Sequence, residues 1–286
     1  MTRFRAIATD LDGTLLRSDK TVSVRTREAV HAAEDAGLLV VIATGRPPRW
    51  IPPVIEELGE RGLVVCANGA SVYDPARHEL VSRTELAPDV VREVIDDLSA
   101  AFAEAVFGVE QGFDFAVDEA IGRDIRTRFQ ADATTTATGP ELLGSWRPEG
   151  LRVGPVRSFL DRPVTKLVVR LPSPAPDGTA ARAREVVGSR ATVTHSTSEA
   201  FLEISHPSVH KASAVERLLE ESGIAPAEVA AFGDMPNDLE LICWAGLGVA
   251  VANAHPRLLE AADEVTTSND DDGVALVIER ILTDLA

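Results

Sequence analysis

An apolar run near the N-terminus, "AIATDLDGTLL" at residues 6–16, ends in Asp10 and Asp12, with Gly13 and Thr14 directly behind. Side chains at i and i+2 of a strand share a face, so two carboxylates there repel each other unless something neutralises them. Asp234 follows a second apolar run, "VAAF", while Thr44 follows a third, "LLVVIA", and Lys211 precedes an amphipathic stretch. Asp10, Asp12 and Asp234 are hard oxygen donors of the kind Mg²⁺ takes together with water and phosphate oxygens. A carboxylate with an ordinary pKa of roughly 4 is ionised at neutral pH and needs no base to act as a nucleophile. A second carboxylate can protonate a leaving oxygen and then activate water. A hydroxyl at Thr44 and an ammonium at Lys211 suit phosphoryl oxygens as charge builds on them. The chemistry this set describes is phosphoryl transfer.

Such residues, scattered from position 10 to position 234, need a fold that gathers them. "FRAIAT", "LLVVIATG" and "LVVCANGA" read as buried strands separated by helical stretches, the first helix capped by Ser23 and stopped by Gly37. Trp50, Val54 and Leu58 have helical spacing in the next one. The same alternation returns in "KASAVERLLEESG", "VAAFGD", "NDLELICWAG" and "LGVAVAN", and runs on to "GVALVIERIL". Continuous aliphatic strands alternating with helices predict an α/β fold, a doubly wound parallel sheet covered on both faces. The carboxyl ends of its strands open on one edge, where ligands bind. The middle of the chain has a different texture: a clear helix at "DVVREVIDDLSAAF", strands at "FGVEQGFDFAV" and "VTKLVVRLP", and loops at "ATTTATGPELLGSWRPEG" and "PSPAPDG". The expected organisation is a core from 1–82 and 196–286 with an inserted α+β domain at 83–195, "STSEAFLEIS" leading back to the core.

The motifs "DLDGTLL" at 10–16, "TGR" at 44–46, Lys211 and "GDMPND" at 233–238 resemble the four signatures of the haloacid dehalogenase superfamily. With "NGA" at 68–70, "LEIS", "VAVANA" and "DDGVA", the pattern is similar to its Cof-like (type IIB) subfamily. The resemblance covers both core segments; the insert matches only by position and length. It implies a Mg²⁺-dependent phosphatase with a Rossmann-like core and a C2B-type cap that closes over the site. It makes Asp10 the nucleophile and Asp12 the general acid/base. Mg²⁺ would be held by Asp10, the Asp12 backbone carbonyl and Asp234. The residues alone had offered the Asp12 carboxylate as ligand; a carboxylate tied to the metal would be a poorer proton shuttle. Thr44, Gly45, Lys211 and Asn237 would position phosphate, and Asp238 would support the metal ligands from behind. Ala212 stands where glycine is common after the lysine, which leaves the chemistry intact.

Other readings carry less. D-x-D also opens a calcium loop, but Leu15 stands where an EF-hand needs glycine. "GLGVAV" precedes a strand and lacks the third glycine of a dinucleotide fingerprint, so it reads as a turn. Asn237 and Asp238 can cap a helix while serving the site. His210 is a bystander, Asp270–Asp272 a solvated helix start, and Cys66 and Cys243 buried small hydrophobes. A net charge of −17 argues against nucleic acid or an anionic membrane as partner. With neither a leader-like N-terminus nor a spanning apolar run, a cytoplasmic protein acting on a small phosphate ester is expected. Its specificity would lie in insert segments such as "FGVEQGFDFAV" and "SWRPEG". Oligomeric state is not legible. A phosphomutase or phosphotransferase using the same nucleophile, and a non-catalytic metabolite sensor, are the alternatives.

Overall fold

A computed structural model describes residues 4–59, 62–132, 151–171, 176–194 and 201–285. The loop expected at 133–150, with its "SWRPEG" segment, and "STSEA" at 196–200 lie outside the described residues. The chain begins with β1 (Ala6–Thr9), α1 (Val24–Asp35), β2 (Leu39–Ala43), α2 (Pro52–Leu58), β3 (Val64–Cys66), β4 (Ser71–Asp74) and β5 (Glu79–Arg83). There follow α3 (Pro88–Ala101), β6 (Val106–Gln111), β7 (Asp114–Val117), α4 (Glu119–Asp132), β8 (Leu151–Val153), β9 (Lys166–Arg170), α5 (Pro176–Val187), β10 (Thr192–Thr194) and β11 (Phe201–Ser205). The last stretch is α6 (Lys211–Glu220), β12 (Val229–Gly233), α7 (Leu239–Trp244), β13 (Leu247–Ala250), α8 (Pro256–Ala261), β14 (Glu264–Val265) and α9 (Gly273–Leu285).

The chain divides into two compact units, one built from the chain up to Arg46, Ile51–Ser82 and the part from His210 on, the other from Pro47–Trp50 and Arg83–Val209. The first holds an eight-stranded sheet in the order β14-β13-β12-β1-β2-β3-β4-β5. Pairing is parallel from β14 to β3, with Ile7 opposite Val40 on one side and Ala230 on the other. Every residue of β1 and β12 is buried, as expected for strands covered on both faces. The chain winds one way from β1 through β2 to β3 and the other way from β12 through β13 to β14. The topological switch point therefore lies between β1 and β12, and the crevice beyond their carboxyl ends is the ligand-binding edge of such a sheet. Val215 and Leu219 of α6 and Leu241 of α7 pack with Ala6, Ala8, Val41, Val229 and Ala231 on one face. Ser23 caps α1, its hydroxyl accepting from Thr26 N at 2.9 Å, a contribution of about 1 kcal/mol.

The second unit holds a six-stranded sheet, β10-β11-β9-β6-β7-β8, antiparallel except between β7 and β8. Alternate residues Phe107, Val109, Leu167, Val169, Leu202 and Ile204 bury with Val91, Val94, Ile95 and Leu98 of α3. Three expectations change here. β11, assigned to the returning core segment, pairs antiparallel with both β9 and β10, so the chain leaves this unit only after Val209. Trp50 precedes α2 and packs with Phe115, Val117 and Ile121 of the second unit. Cys243 is exposed, because α7 turns Leu241 and Ile242 inward and the next residue outward. Cys66 is buried. Among the described residues, no helix is long and apolar enough to cross a membrane.

Candidate active site

Asp10 directly follows β1 and extends its ladder, its N–H donating to Phe232 O at 3.0 Å. Asp234 directly follows β12. The parallel register thus brings two carboxylates 224 positions apart to the switch point, and both are buried. Thr14 donates its hydroxyl to Asp234 Oδ1 at 3.0 Å, and the Asp234 carbonyl accepts from His255 N at 2.7 Å. Gly13 makes this approach possible. Its φ is 80°, and a Cβ there would lie 2.4 Å from Asp234 Oδ2, so only glycine fits the turn.

Lys211, the first residue of α6, is buried and reaches Asp10 Oδ1 at 2.5 Å and Asp238 Oδ1 at 2.6 Å. Asp238 lies in the short turn before α7, and its Oδ2 accepts from Asp234 N at 3.1 Å and Met235 N at 3.0 Å. It therefore braces the backbone on which Asp234 sits and neutralises part of the lysine. Carboxylate oxygens of Asp10, Asp234 and Asp238 lie within 4.8 Å of one another. Three carboxyl groups face one ammonium, so ionising all three would leave two surplus negative charges out of water. That donor set, and a glycine cradle closed against Asp234, fit Mg²⁺. Asp10 and Asp234 suit the cation best, since both oxygens of Asp238 already have partners.

The electrostatics express the same surplus. Burial pushes the Asp10 carboxyl well above the usual range, Asp238 and Asp234 add to this, and Lys211 opposes it. Burial and then the charge on Asp238 raise Asp234 to about 7, against the Thr14 hydrogen bond and Lys211. For Lys211 burial works downward, but Asp10 and Asp238 outweigh it and raise the ammonium above its ordinary value.

Asp12 stands apart from this cluster. Its oxygens accept from Arg46 Nε and Nη2, each at 2.6 Å, and Lys20 Nζ lies 3.2 Å from Oδ1. Burial raises the Asp12 carboxyl, but Arg46 and Lys20 more than offset it and hold it below the usual carboxylate range. The expected phosphate-positioning residues are tied together nearby. Thr44, buried after β2, donates its N–H to Val65 O at 2.8 Å and accepts on Oγ1 from Arg46 N at 3.1 Å. Gly45 is half-buried in the same bend. Asn68 N donates to Thr44 O, and Asn68 Oδ1 accepts from Asn237 Nδ2, both at 3.0 Å. Asn237 Oδ1 is buried without a hydrogen-bond partner. His210 caps α6, its ring accepting from Ser213 N.

Thr14, Lys20, Arg46 and Asn68 join the site without having been expected there from residue type and spacing. Thr14, Arg46 and Asn68 fall inside the quoted motifs "DLDGTLL", "TGR" and "NGA", and that position was the signal available. Lys20 lies in the turn after β1 and carried none.

Comparison with known proteins gives a concordant picture. A family model described as haloacid dehalogenase-like hydrolase matches residues 7–278. YxeH of Bacillus subtilis (strain 168) is 32% identical over 286 residues, covering 98% of each chain. The 5-amino-6-(5-phospho-D-ribitylamino)uracil phosphatase YwtE of the same organism is 28% identical, again covering 98% of each chain. A crystal structure of a haloacid dehalogenase-like hydrolase from Bacteroides thetaiotaomicron superposes with a TM-score of 0.75 at 28% identity, over 98% of this chain and 100% of that one.

Proposed function

Because this chain belongs to the haloacid dehalogenase-like hydrolases, we propose that it is a Mg²⁺-dependent phosphatase of small phosphorylated metabolites, working through an aspartyl-phosphate. The observation that carries the reading is the buried cluster of Asp10, Asp234, Asp238 and Lys211 at the switch point between β1 and β12. A relative named as a phosphatase of a phosphorylated ribityl compound, similar over nearly its whole length, supports it.

Asp10 attacks phosphorus, the ester P–O bond breaks, and the leaving oxygen takes a proton from Asp12, whose neutral form Arg46 and Lys20 disfavour in the free protein and a bound phosphate dianion would favour. Asp12, now a carboxylate, accepts a proton from water as that water attacks the aspartyl-phosphate, and the bond between phosphorus and Asp10 breaks to release phosphate. Lys211 offsets the charge on Asp10 and on the phosphoryl group. Thr44, Gly45 and Asn237 orient the phosphoryl oxygens. Mg²⁺, held by Asp10, Asp234 and the Asp12 carbonyl, would neutralise the carboxylates and draw the phosphate dianion to them.

The test is phosphate release from a panel of phosphorylated metabolites with Mg²⁺ and with excess chelator, repeated with an acceptor sugar present. Metal-dependent release to water supports a phosphatase. Transfer to the sugar in preference to water would make the protein a phosphotransferase, and Mg²⁺-dependent binding of esters without turnover would make it a sensor.

A further inference from the structure

The turn that follows β1 carries an internal conflict. Residue 13 must be glycine because Asp234 packs against it, yet glycine leaves a backbone free to adopt many conformations, and a cation site needs one. The ties that hold this turn come from far along the chain. Asn253 Nδ2 donates to Gly13 O at 2.8 Å, while Asn253 Oδ1 accepts from Asn269 N at 3.0 Å. Asn269 is buried and donates its own Nδ2 to Leu16 O at 2.9 Å. We propose that Asn253 and Asn269 are positioning residues. They pin the Gly13–Leu16 turn against the chain that flanks Asp234, so that Asp10 and Asp234 are set for the cation before it binds. The inference rests on the reading of Asp10 and Asp234 as cation ligands.

Both ends of the Asn253 amide are engaged, one on residue 13 and the other on residue 269. Turned over, the amide would set its oxygen against a carbonyl and its nitrogen against an N–H, so its orientation is fixed. The turn that carries Asn253 hangs on Asp234 itself: His255 N donates to Asp234 O at 2.7 Å and Val251 N to Gly233 O at 3.3 Å. Thr14 Oγ1 closes the circuit on Asp234 Oδ1 at 3.0 Å. The turn and Asp234 are thus joined by two routes, one through the Thr14 hydroxyl and one through Asn253. The stretch beyond Asn269 continues the attachment. Asp270 Oδ1 accepts from Ser18 N at 2.8 Å, and Asp272 Oδ1 from Arg17 Nη2 at 3.1 Å. Residues 13, 16, 17 and 18 therefore all bond to one stretch of chain 240 to 255 positions further on. One such hydrogen bond at the surface contributes little. A set that orders a glycine turn in advance spares the cation the cost of ordering it, which raises its affinity.

The test has two arms, both on the full-length protein. Hydrogen exchange of the metal-free protein reads the turn directly. In Asn253→Ala and Asn269→Ala the amides of residues 13–20 exchange roughly five- to tenfold faster, the scale of a lost hydrogen bond, while those of β12 and α9 keep their protection. Mn²⁺ restores the protection of the turn. Calorimetric titration with Mn²⁺ reads the cation site, where Asn253→Ala weakens binding by about tenfold, as for other residues that orient metal ligands. Thr14→Val, which cuts the other route to Asp234, weakens it similarly. Because both act through the same turn, the Asn253→Ala/Thr14→Val double variant falls well short of the roughly 100-fold product of the two losses. Asn253 is exposed, so its variant decides the matter if the buried Asn269→Ala does not fold.

Faster exchange spread equally over the turn, β12 and α9 would reduce the two asparagines to general stabilisers and overturn the proposal. Losses of Mn²⁺ affinity that multiply in full would overturn it too, since Asn253 would then act by a route independent of the turn. Unchanged exchange and unchanged Mn²⁺ binding would do the same. A wild-type protein that does not bind Mn²⁺ at all would overturn the cation reading itself, an outcome distinct from unresponsive asparagine variants of a wild type that binds it.

Discussion

Lys211 Nζ lies 2.5 Å from Asp10 Oδ1, a contact between residues 201 positions apart. The lysine is 1% exposed and the aspartate 7%. Removing one partner of a buried ion pair strands the other, so Lys211→Met is expected to cost about 3–5 kcal/mol in stability. Urea unfolding in chelator measures it. Mg²⁺ should recover part of the loss by supplying positive charge at the same carboxylates. A variant as stable as the parent in chelator would contradict the ion pair's structural role.

Asp10→Asn removes one of the three buried carboxyl groups that crowd this cluster while Asp238 still pairs with Lys211. Turnover should fall by at least roughly 10³-fold, as for a lost nucleophile. The metal-free protein should nonetheless gain stability, by about 1 kcal/mol. Parallel steady-state assays and thermal melts test both. Lower stability together with lost turnover would mean that the cluster is not electrostatically overloaded.

The pH dependence of the metal-free protein follows from Asp234. Its native value of about 7 lies above the ordinary 3.8, so between those limits the native state holds a proton that the unfolded chain has released. Stability therefore falls as pH rises through this window, and Asp10, shifted in the same direction, adds to the fall. Mg²⁺ competes with the proton, so its apparent affinity should rise over the same range and the stability profile should flatten when it is present. Melting curves from pH 4 to 8, with chelator and with Mg²⁺, decide the matter; stability rising with pH in chelator would refute it.

Gly13→Ala combines two faults, a φ of 80° and a Cβ 2.4 Å from Asp234 Oδ2. The backbone strain alone costs about 1 kcal/mol or more. Displacing Asp234 should also weaken Mn²⁺ binding by at least about tenfold. Normal metal affinity in this variant would show that Asp234 is not held against the glycine turn.

The alternation of buried aliphatic runs with capped helices made the parallel sheet readable, because strands covered on both faces leave an uninterrupted apolar signature. Asp10 and Asp234 could be placed on one edge for the same reason: each ends such a run. β11 was misassigned because "FLEIS" alternates as any half-buried strand does, and nothing local says which sheet it joins; that depends on its register with β9 and β10. The clamp on Asp12 was hidden for a different reason. Arginine and aspartate 34 positions apart meet only because β1 and β2 are neighbours, and the positive φ at Ala67 and Asn68, which secures the loop, occurs at residues that carry no glycine signal.

The most direct test of the account is the identity of the phosphorylated residue. The enzyme would be mixed with a radiolabelled phosphomonoester and Mg²⁺, quenched in acid during turnover, digested and mapped. Label is expected on the peptide containing Asp10, absent in chelator and absent in Asp10→Asn. Label on another residue, or phosphate released with no label retained at any time, would contradict it.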